Sequence, residues 1–162
     1  MAISVGERIP EGQVFKMGEN GPEAVDMGAV TKGRKVVIFG LPAAFSGTCT
    51  SAHLPSFMRT RDAFAAKGVD AVVCLSVNDA FTMGAWDKEM GASAAGIDML
   101  GDASGGFTKA MGLDFDFAPA GLFGRSVRYA MYVEDGVVKK LNIEEQAGVC
   151  ELSAGETLLE QI

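Results

Sequence analysis

Short apolar runs recur along the chain, and most of them have the composition of buried β-strands. They are rich in β-branched residues and are bounded by glycine, charged residues or amides. Apolar runs of this length and composition are typical of strands inside a sheet. We therefore predict strands at residues 35–39, 70–77 and 97–100. One more is predicted at 13–17, within an opening segment that is otherwise rich in glycine and polar residues.

Between these runs, apolar residues recur at roughly helical spacing. They predict a helix from Cys49 to about Lys67. Pro55 lies inside that segment and should kink the helix, because proline has no backbone N–H to donate. Asn78 or Asp79 can cap the next helix. The further predicted helices cover residues 80–90, 105–111 and 154–162.

The pair Asp135-Gly136 is a strong signal for a two-residue hairpin turn. It lies between predicted strands at residues 128–134 and 137–143. Strands that alternate with helices and then end in a hairpin and a last helix predict an α/β fold, with a mixed central sheet flanked by helices. This order of elements is typical of the thioredoxin-like fold.

Composition narrows the class of protein. A length of 162 residues with 48% apolar and 22% charged residues predicts one globular domain, residues 1–162. The net charge of −7 argues against nucleic acid or an anionic membrane as a partner, since both reward positive charge. The longest apolar run is too short to span a bilayer. Three cysteines without a secretory signal indicate thiol chemistry in a reducing compartment, so we predict a cytoplasmic location.

Cys49 is the leading candidate for that chemistry. It follows a predicted strand and a tight loop, and it stands where a predicted helix begins. Unpaired N–H groups and the helix dipole favour an anion at that position, so the thiol should ionise more easily. A lone cysteine is more often a small buried hydrophobe, and the surrounding residues must decide between the two interpretations.

The segment 39–57, which contains Pro42, Ser46 and Cys49, resembles the active-site stretch of the peroxiredoxins. It matches their pattern of proline, three residues, threonine or serine, two residues, and cysteine. Residues 75–81 and 128–131 are similar to the same family, most closely to its type II or atypical two-cysteine branch, which includes plant type II and mammalian mitochondrial-peroxisomal enzymes. Two departures stand out: Ala43 replaces a usual glycine, and Gly47 replaces a usual proline and loosens the loop.

The resemblance implies a thiol-dependent peroxidase that reduces hydrogen peroxide and alkyl hydroperoxides without a cofactor or a metal. Cys49 would attack the terminal peroxide oxygen and become a sulfenic acid. Ser46 would bond the thiolate or the bound peroxide, and Arg128 would lower the pKa of Cys49 and polarise the O–O bond. Pro42, which has no N–H, would shield the thiolate from water.

How the sulfenic acid is recycled stays open at this point. Cys74 lies in an apolar run and is predicted to be buried, whereas Cys150 lies in a predicted loop and is a possible resolving cysteine. Without an internal disulfide, glutathione with glutaredoxin would be the natural reductant, and thioredoxin is the alternative. The resemblance also implies a homodimer.

Three other interpretations compete with this one. A thioredoxin-like dithiol oxidoreductase would need Cys-x-x-Cys, but Ser46 replaces the first sulfur. A redox sensor or chaperone module could use Cys49 as a switch without efficient turnover. His53 lies one helical turn after Cys49, and packing or hydrogen bonding is favoured over metal binding because a structural zinc site needs four ligands.

Overall fold

The computed structural model describes all residues from Met1 to Ile162, and its centre is a seven-stranded mixed sheet. The strands are β1 (Gln13–Gly18), β2 (Gly21–Asp26), β3 (Lys35–Leu41), β4 (Ala71–Ser76), β5 (Ile97–Gly101), β6 (Asp114–Phe117), β7 (Leu122–Ser126), β8 (Tyr129–Glu134) and β9 (Val137–Ile143). The strands of the central sheet follow the order β2-β1-β5-β4-β3-β8-β9, and β6 and β7 form a separate two-stranded sheet. The helices are α1 (Met27–Thr31), α2 (Leu54–Ala66), α3 (Ala80–Met90), α4 (Gly106–Ala110) and α5 (Gly155–Gln161).

Two hydrophobic clusters, one on each face of the sheet, form the core. Alternate residues of β3 point to opposite faces, so Val36 and Ile38 join one cluster while Val37 and Phe39 join the other. Helices α2, α3 and α5 cover the second cluster, which also contains Cys49. Because both faces of β3 and β4 are covered, these strands are apolar along nearly their whole length.

The middle of the sheet follows the sequence prediction. β3 pairs with β4 and β4 with β5, all in parallel, and helices connect them. β8 pairs antiparallel with both β3 and β9. Asp135 and Gly136 have φ of 47° and 78°, and positive φ at both positions is what a tight hairpin turn requires. The mixed sheet flanked by helices confirms the predicted fold class.

The sequence prediction missed four short elements, β2, α1, β6 and β7, and also the 3₁₀ turn Ala118–Ala120 between β6 and β7. β2 contains glycine, proline and glutamate, has no buried residue, and owes its strand conformation to pairing with β1. α1 has only five residues, although the side chain of Asp26 caps it by accepting from Gly28 N–H. Elements this short and exposed leave too little periodicity to be recognised in a sequence.

The helix predicted from Cys49 begins with a π-helical turn, Cys49–His53, and continues as α2. Leu54 N–H donates to the carbonyl of Cys49, five residues back, as a π turn requires. Pro55 follows at once and has no N–H to donate. The widened turn therefore lies where proline disturbs the regular hydrogen-bond ladder.

Candidate active site

Cys49 lies just beyond the carboxyl end of β3, at the first residue of the π-helical turn, and none of its surface is exposed. The N–H of the next residue, Thr50, donates to the backbone carbonyl of Ser46 across 3.0 Å, so the helical hydrogen bonding starts within the loop. The thiol is thus held between the end of a central strand and the start of a helix, as the sequence predicted.

Arg128 contacts the sulfur of Cys49. It immediately precedes β8, only 2% of it is exposed, and its Nη2 donates to Cys49 Sγ across 3.2 Å. Its Nε and Nη2 also donate to the carbonyl of Ala147, across 3.1 and 2.9 Å. No carboxylate is among the hydrogen-bond or ion-pair partners of this guanidinium. The sulfur of Cys49 therefore faces a buried cation that no carboxylate neutralises.

His53 is the third member of this cluster. Its Nδ1 accepts from Arg128 Nη1 across 3.1 Å, and its Nε2 lies 3.1 Å from the carbonyl of Ser153. A carbonyl can only accept, so the ring proton lies on Nε2 and the imidazole is neutral. Burial, together with the charge of Arg128, lowers the pKa of His53 to about 3. The structure therefore gives His53 a hydrogen-bonding role, and no group of three or more His, Cys, Asp or Glu side chains could hold a metal ion.

A loop that we call the strap, residues 144–153, covers the cluster after β9. The carbonyl of Ala147 accepts hydrogen bonds from the Arg128 guanidinium, and the carbonyl of Gly148 accepts one from Thr48 Oγ1 across 2.9 Å. The carboxylate of Glu144 closes the strap by bonding back to its far end. Sequence reasoning missed this arrangement, because partners about 100 residues apart carry no local signal.

Not every predicted site residue forms a hydrogen bond to the sulfur of Cys49. Ser46 Oγ donates to the carbonyl of Ala43 across 2.8 Å, and no hydrogen bond joins it to Cys49. Pro42 is buried directly after β3 and, as a proline, has no backbone N–H to offer to the site. Phe45, between them, has a φ of 65°, a conformation that is uncommon for a residue other than glycine.

All three cysteines are free. Cys74 lies opposite Phe39 in β4 and is fully buried, as predicted, and burial raises its pKa well above the usual value. Cys150 lies half-buried in the strap, where burial also raises its pKa. Ser153 Oγ lies 3.9 Å from its sulfur, but the single hydroxyl proton of Ser153 is donated to the carboxylate of Glu144, 2.7 Å away. No disulfide joins Cys150 to Cys49.

Trp86 lies beside this site as well as in the core. It is fully buried in α3, and its Nε1 donates to Thr50 Oγ1 across 3.2 Å. The ring of Phe45 lies 6.3 Å from the Trp86 ring, between centroids. The one tryptophan of the chain therefore contacts both the loop and the turn that hold Cys49. None of the helices combines the length and apolar character needed to cross a bilayer.

Comparison with known proteins shows the family. The Redoxin family model matches residues 4–159. The chain is 47% identical to Peroxiredoxin-2F of Arabidopsis thaliana over 82% of its own length and 66% of that relative, slightly under two thirds. It is 37% identical to Peroxiredoxin-2C of Oryza sativa over 99% of its length and 98% of the relative. The structure of reduced Prx3 of Vibrio vulnificus in complex with hydrogen peroxide matches with a TM-score of 0.91 and 40% identity, over 98% of both chains.

A cysteine at a helix start beside a buried arginine, on a thioredoxin-like sheet, agrees with these matches. The chain belongs to the peroxiredoxins, the thiol-dependent peroxidases of the Redoxin family.

Proposed function

We propose that Cys49 is the residue that reduces the peroxide. The thiolate attacks the terminal oxygen of hydrogen peroxide or an alkyl hydroperoxide, the O–O bond breaks, and the cysteine becomes a sulfenic acid. The leaving oxygen takes a proton and departs as water or an alcohol. The single observation that carries this proposal is the contact of Arg128 Nη2 with Cys49 Sγ.

Arg128 would act in both the ground state and the transition state. Before the attack, its cation donates a hydrogen bond to the sulfur that is the nucleophile. As the attack proceeds, negative charge moves from the sulfur to the leaving oxygen, and a cation beside the sulfur would stabilise that charge. Because Arg128 is buried and has no carboxylate partner, its charge is not neutralised by another side chain.

Ser46 and Pro42 would complete the site. The proton of Ser46 Oγ is committed to the carbonyl of Ala43, so the lone pairs of the hydroxyl oxygen are free to accept from a peroxide O–H. Pro42 is buried and places a ring, instead of an N–H that would bind water, beside the loop.

For recycling, we propose reduction by glutathione with glutaredoxin, with thioredoxin as the alternative. Cys74 is locked in a central strand, and Cys150 lies half-buried in the strap, which Glu144 holds by hydrogen bonds. A small thiol requires no rearrangement of a second cysteine, although it needs a transient opening of the structure above Cys49, which is fully buried. The cytoplasmic location stays a prediction, which the three free cysteines support.

We also propose a homodimer. Phe45, Phe81 and Phe123 are 50%, 67% and 63% exposed. Their segments meet around residues 77–78, since Ala44 N–H donates to the Asn78 side chain and Arg125 donates to the Val77 carbonyl. We call these three side chains the aromatic patch. Exposed aromatic side chains in one region are typical of a protein interface, and a second copy of the chain would cover them beside the active site.

Peroxide consumption by the purified protein with glutathione and glutaredoxin tests the proposed function. The wild type should reduce many equivalents of peroxide per chain, whereas Cys49→Ser should reduce none with either hydrogen peroxide or cumene hydroperoxide. More than a trace of activity in Cys49→Ser would remove the assignment. Reaction that stops after one equivalent, with reductant still in excess, would indicate a sensor instead of an enzyme.

A further inference from the structure

We propose that the buried carboxylate of Glu144 is a positioning residue for the peroxidase reaction, because it fixes the strap that sets the His53 tautomer and holds the Arg128 guanidinium over Cys49. This inference rests on the proposed role of Cys49. It assigns a function to a carboxylate that makes no bond to the sulfur or to Arg128's side chain.

The carboxylate of Glu144 is an anchor at the root of the strap. Only 7% of the residue is exposed. Its backbone N–H donates to the carbonyl of Arg128 across 2.9 Å, so the two residues are hydrogen-bonded neighbours at the ends of β9 and β8. Its Oε2 accepts three hydrogen bonds, from the N–H of Glu151 at 2.7 Å, from the N–H of Ser153 at 2.8 Å and from Ser153 Oγ at 2.7 Å. No cation pairs with it.

Three donors aimed at one oxygen favour the ionised form of the acid. Burial by itself would raise the pKa of Glu144, but the N–H and hydroxyl of Ser153 and the N–H of Glu151 outweigh burial and lower it. Glu144 therefore stays charged at neutral pH. Its carboxylate accepts hydrogen bonds from backbone N–H groups of the strap and does not pair with a cation.

One line of contacts leads from this anchor to the sulfur. Glu144 holds the N–H of Ser153, whose carbonyl accepts the Nε2 proton of His53. With the proton on Nε2, the Nδ1 lone pair is free to accept from Arg128 Nη1, and Nη2 of the same planar group then faces Cys49. If the strap moved away, the ring could hold its proton on Nδ1, and that proton would oppose Arg128.

A second line runs through the middle of the strap. The carbonyl of Ala147 accepts from two nitrogens of Arg128, and the carbonyl of Gly148 accepts from Thr48, the residue before Cys49. Glu144 ties both ends of this stretch together by bonding Glu151 and Ser153. Both carbonyls depend on the same anchor, so its loss should loosen the guanidinium and the start of the helical turn together.

The test compares Glu144→Gln with Glu145→Gln. Glu145 is the next residue, is exposed and makes no side-chain hydrogen bond or ion pair, so its variant removes the same charge without touching the anchor. Two readouts are needed besides thermal unfolding. One is the nitrogen chemical shifts of the His53 ring, which are unambiguous because the chain has one histidine. The other is the pH dependence of Cys49 alkylation, followed by mass spectrometry of its peptide.

We expect Glu144→Gln to replace the pure Nε2-H tautomer with a mixture and to move the alkylation midpoint to higher pH. Peroxide reduction at neutral pH should slow in proportion to the thiolate that is lost, which is about tenfold for each pH unit by which the midpoint rises above neutrality. Glu145→Gln should match the wild type. A Glu144→Gln protein with lowered thermal stability but an unchanged tautomer and midpoint would overturn the proposal.

If Glu144→Gln does not fold, Glu144→Asp decides the question, because it keeps the charge but shortens the side chain that reaches the N–H groups of Glu151 and Ser153. An unchanged tautomer and midpoint in Glu144→Asp would also overturn the proposal. The His53 shifts do not depend on catalysis, so failure of the positioning role is separable from failure of Cys49, which would appear as retained activity in Cys49→Ser.

Discussion

Arg128 and Cys49 are 79 residues apart in the chain, and Nη2 of Arg128 donates to the sulfur of Cys49 across 3.2 Å. The pairing of β3 with β8 produces this contact. Cys49 follows the carboxyl end of β3, Arg128 precedes β8, and the two strands are antiparallel with Gly40 opposite Tyr129. The end of one strand therefore lies beside the start of the other, and a central pair of the sheet fixes the distance between cation and thiol.

Replacement of Arg128 should slow the attack on peroxide. Arg128→Met removes the cation that stabilises the thiolate and the leaving oxygen, so the rate constant for peroxide reduction should fall by about 100-fold or more. Arg128→Lys keeps a charge but loses the planar fork that bonds Cys49, His53 and Ala147 at once, so it should recover only part of the rate.

Stopped-flow measurement of Trp86 fluorescence can follow this reaction, since Trp86 bonds the turn that holds Cys49. Arg125→Met is a matched control, because Arg125 bonds the carbonyl of Val77 and not the sulfur. If Arg128→Met reacted with peroxide as fast as Arg125→Met, Arg128 would have no part in the chemistry.

Acid should destabilise the fold through His53. Its pKa is about 3 in the folded protein, below the ordinary value of 6.5, so the unfolded chain binds the proton more readily. Stability from this group is fully present above about pH 6.5 and is lost as the pH falls towards 3, by about 1.4 kcal/mol for each pH unit.

Two measurements check this expectation. The imidazole signal of His53 should not titrate between pH 8 and 5, and urea unfolding should show stability falling over the lower part of that range. His53→Gln should weaken that pH dependence, because glutamine has no proton to bind. A His53 signal that titrates near pH 6.5 in the folded protein would contradict the buried neutral state.

The sequence predicted the parts of the site that depend on local pattern. The apolar run before Cys49 and the helical spacing after it place the thiol at a strand-to-helix junction, and the structure has it there. Only the resemblance of residues 128–131 to a known family identifies Arg128, since an arginine before a strand is ordinarily a solvated residue. Here it is 2% exposed.

The strap could not be predicted in the same way. Glu144 and Ser153 read as ordinary loop residues, and their importance depends on carbonyl groups, which no side-chain pattern encodes. Ser46 shows the opposite case. The motif predicts that Ser46 bonds the thiolate or the bound peroxide, yet in the structure its hydroxyl proton goes to the nearer carbonyl of Ala43 because the loop turns tightly there. Local turn geometry of this kind is decided by the fold around it.

The aromatic patch should hold the proposed dimer together. Phe123→Asp places a charge in the middle of an apolar interface, where burying it would cost several kcal/mol, so the variant should be a monomer at micromolar concentration. Val5→Asp is the control, because Val5 is also exposed, at 57%, but lies outside the patch. Light scattering on both variants and the wild type gives the result. A wild type that is strictly monomeric would refute the dimer. A dimeric Phe123→Asp would show that the interface does not include the aromatic patch.

Cys150 should be dispensable when glutathione and glutaredoxin are the reductant. A disulfide with Cys49 needs the two Cα atoms within about 7 Å. It would also require the strap to adapt, although Glu144, Arg128 and Thr48 hold that loop by hydrogen bonds. Glutathione needs only a transient opening above the fully buried Cys49, and glutaredoxin then reduces the mixed disulfide. Cys150→Ser should therefore keep its glutaredoxin-dependent turnover and lose, at most, the thioredoxin-dependent turnover. Parallel assays with the two reductants decide the matter, because a Cys150→Ser protein that fails with both would make Cys150 an obligatory resolving cysteine.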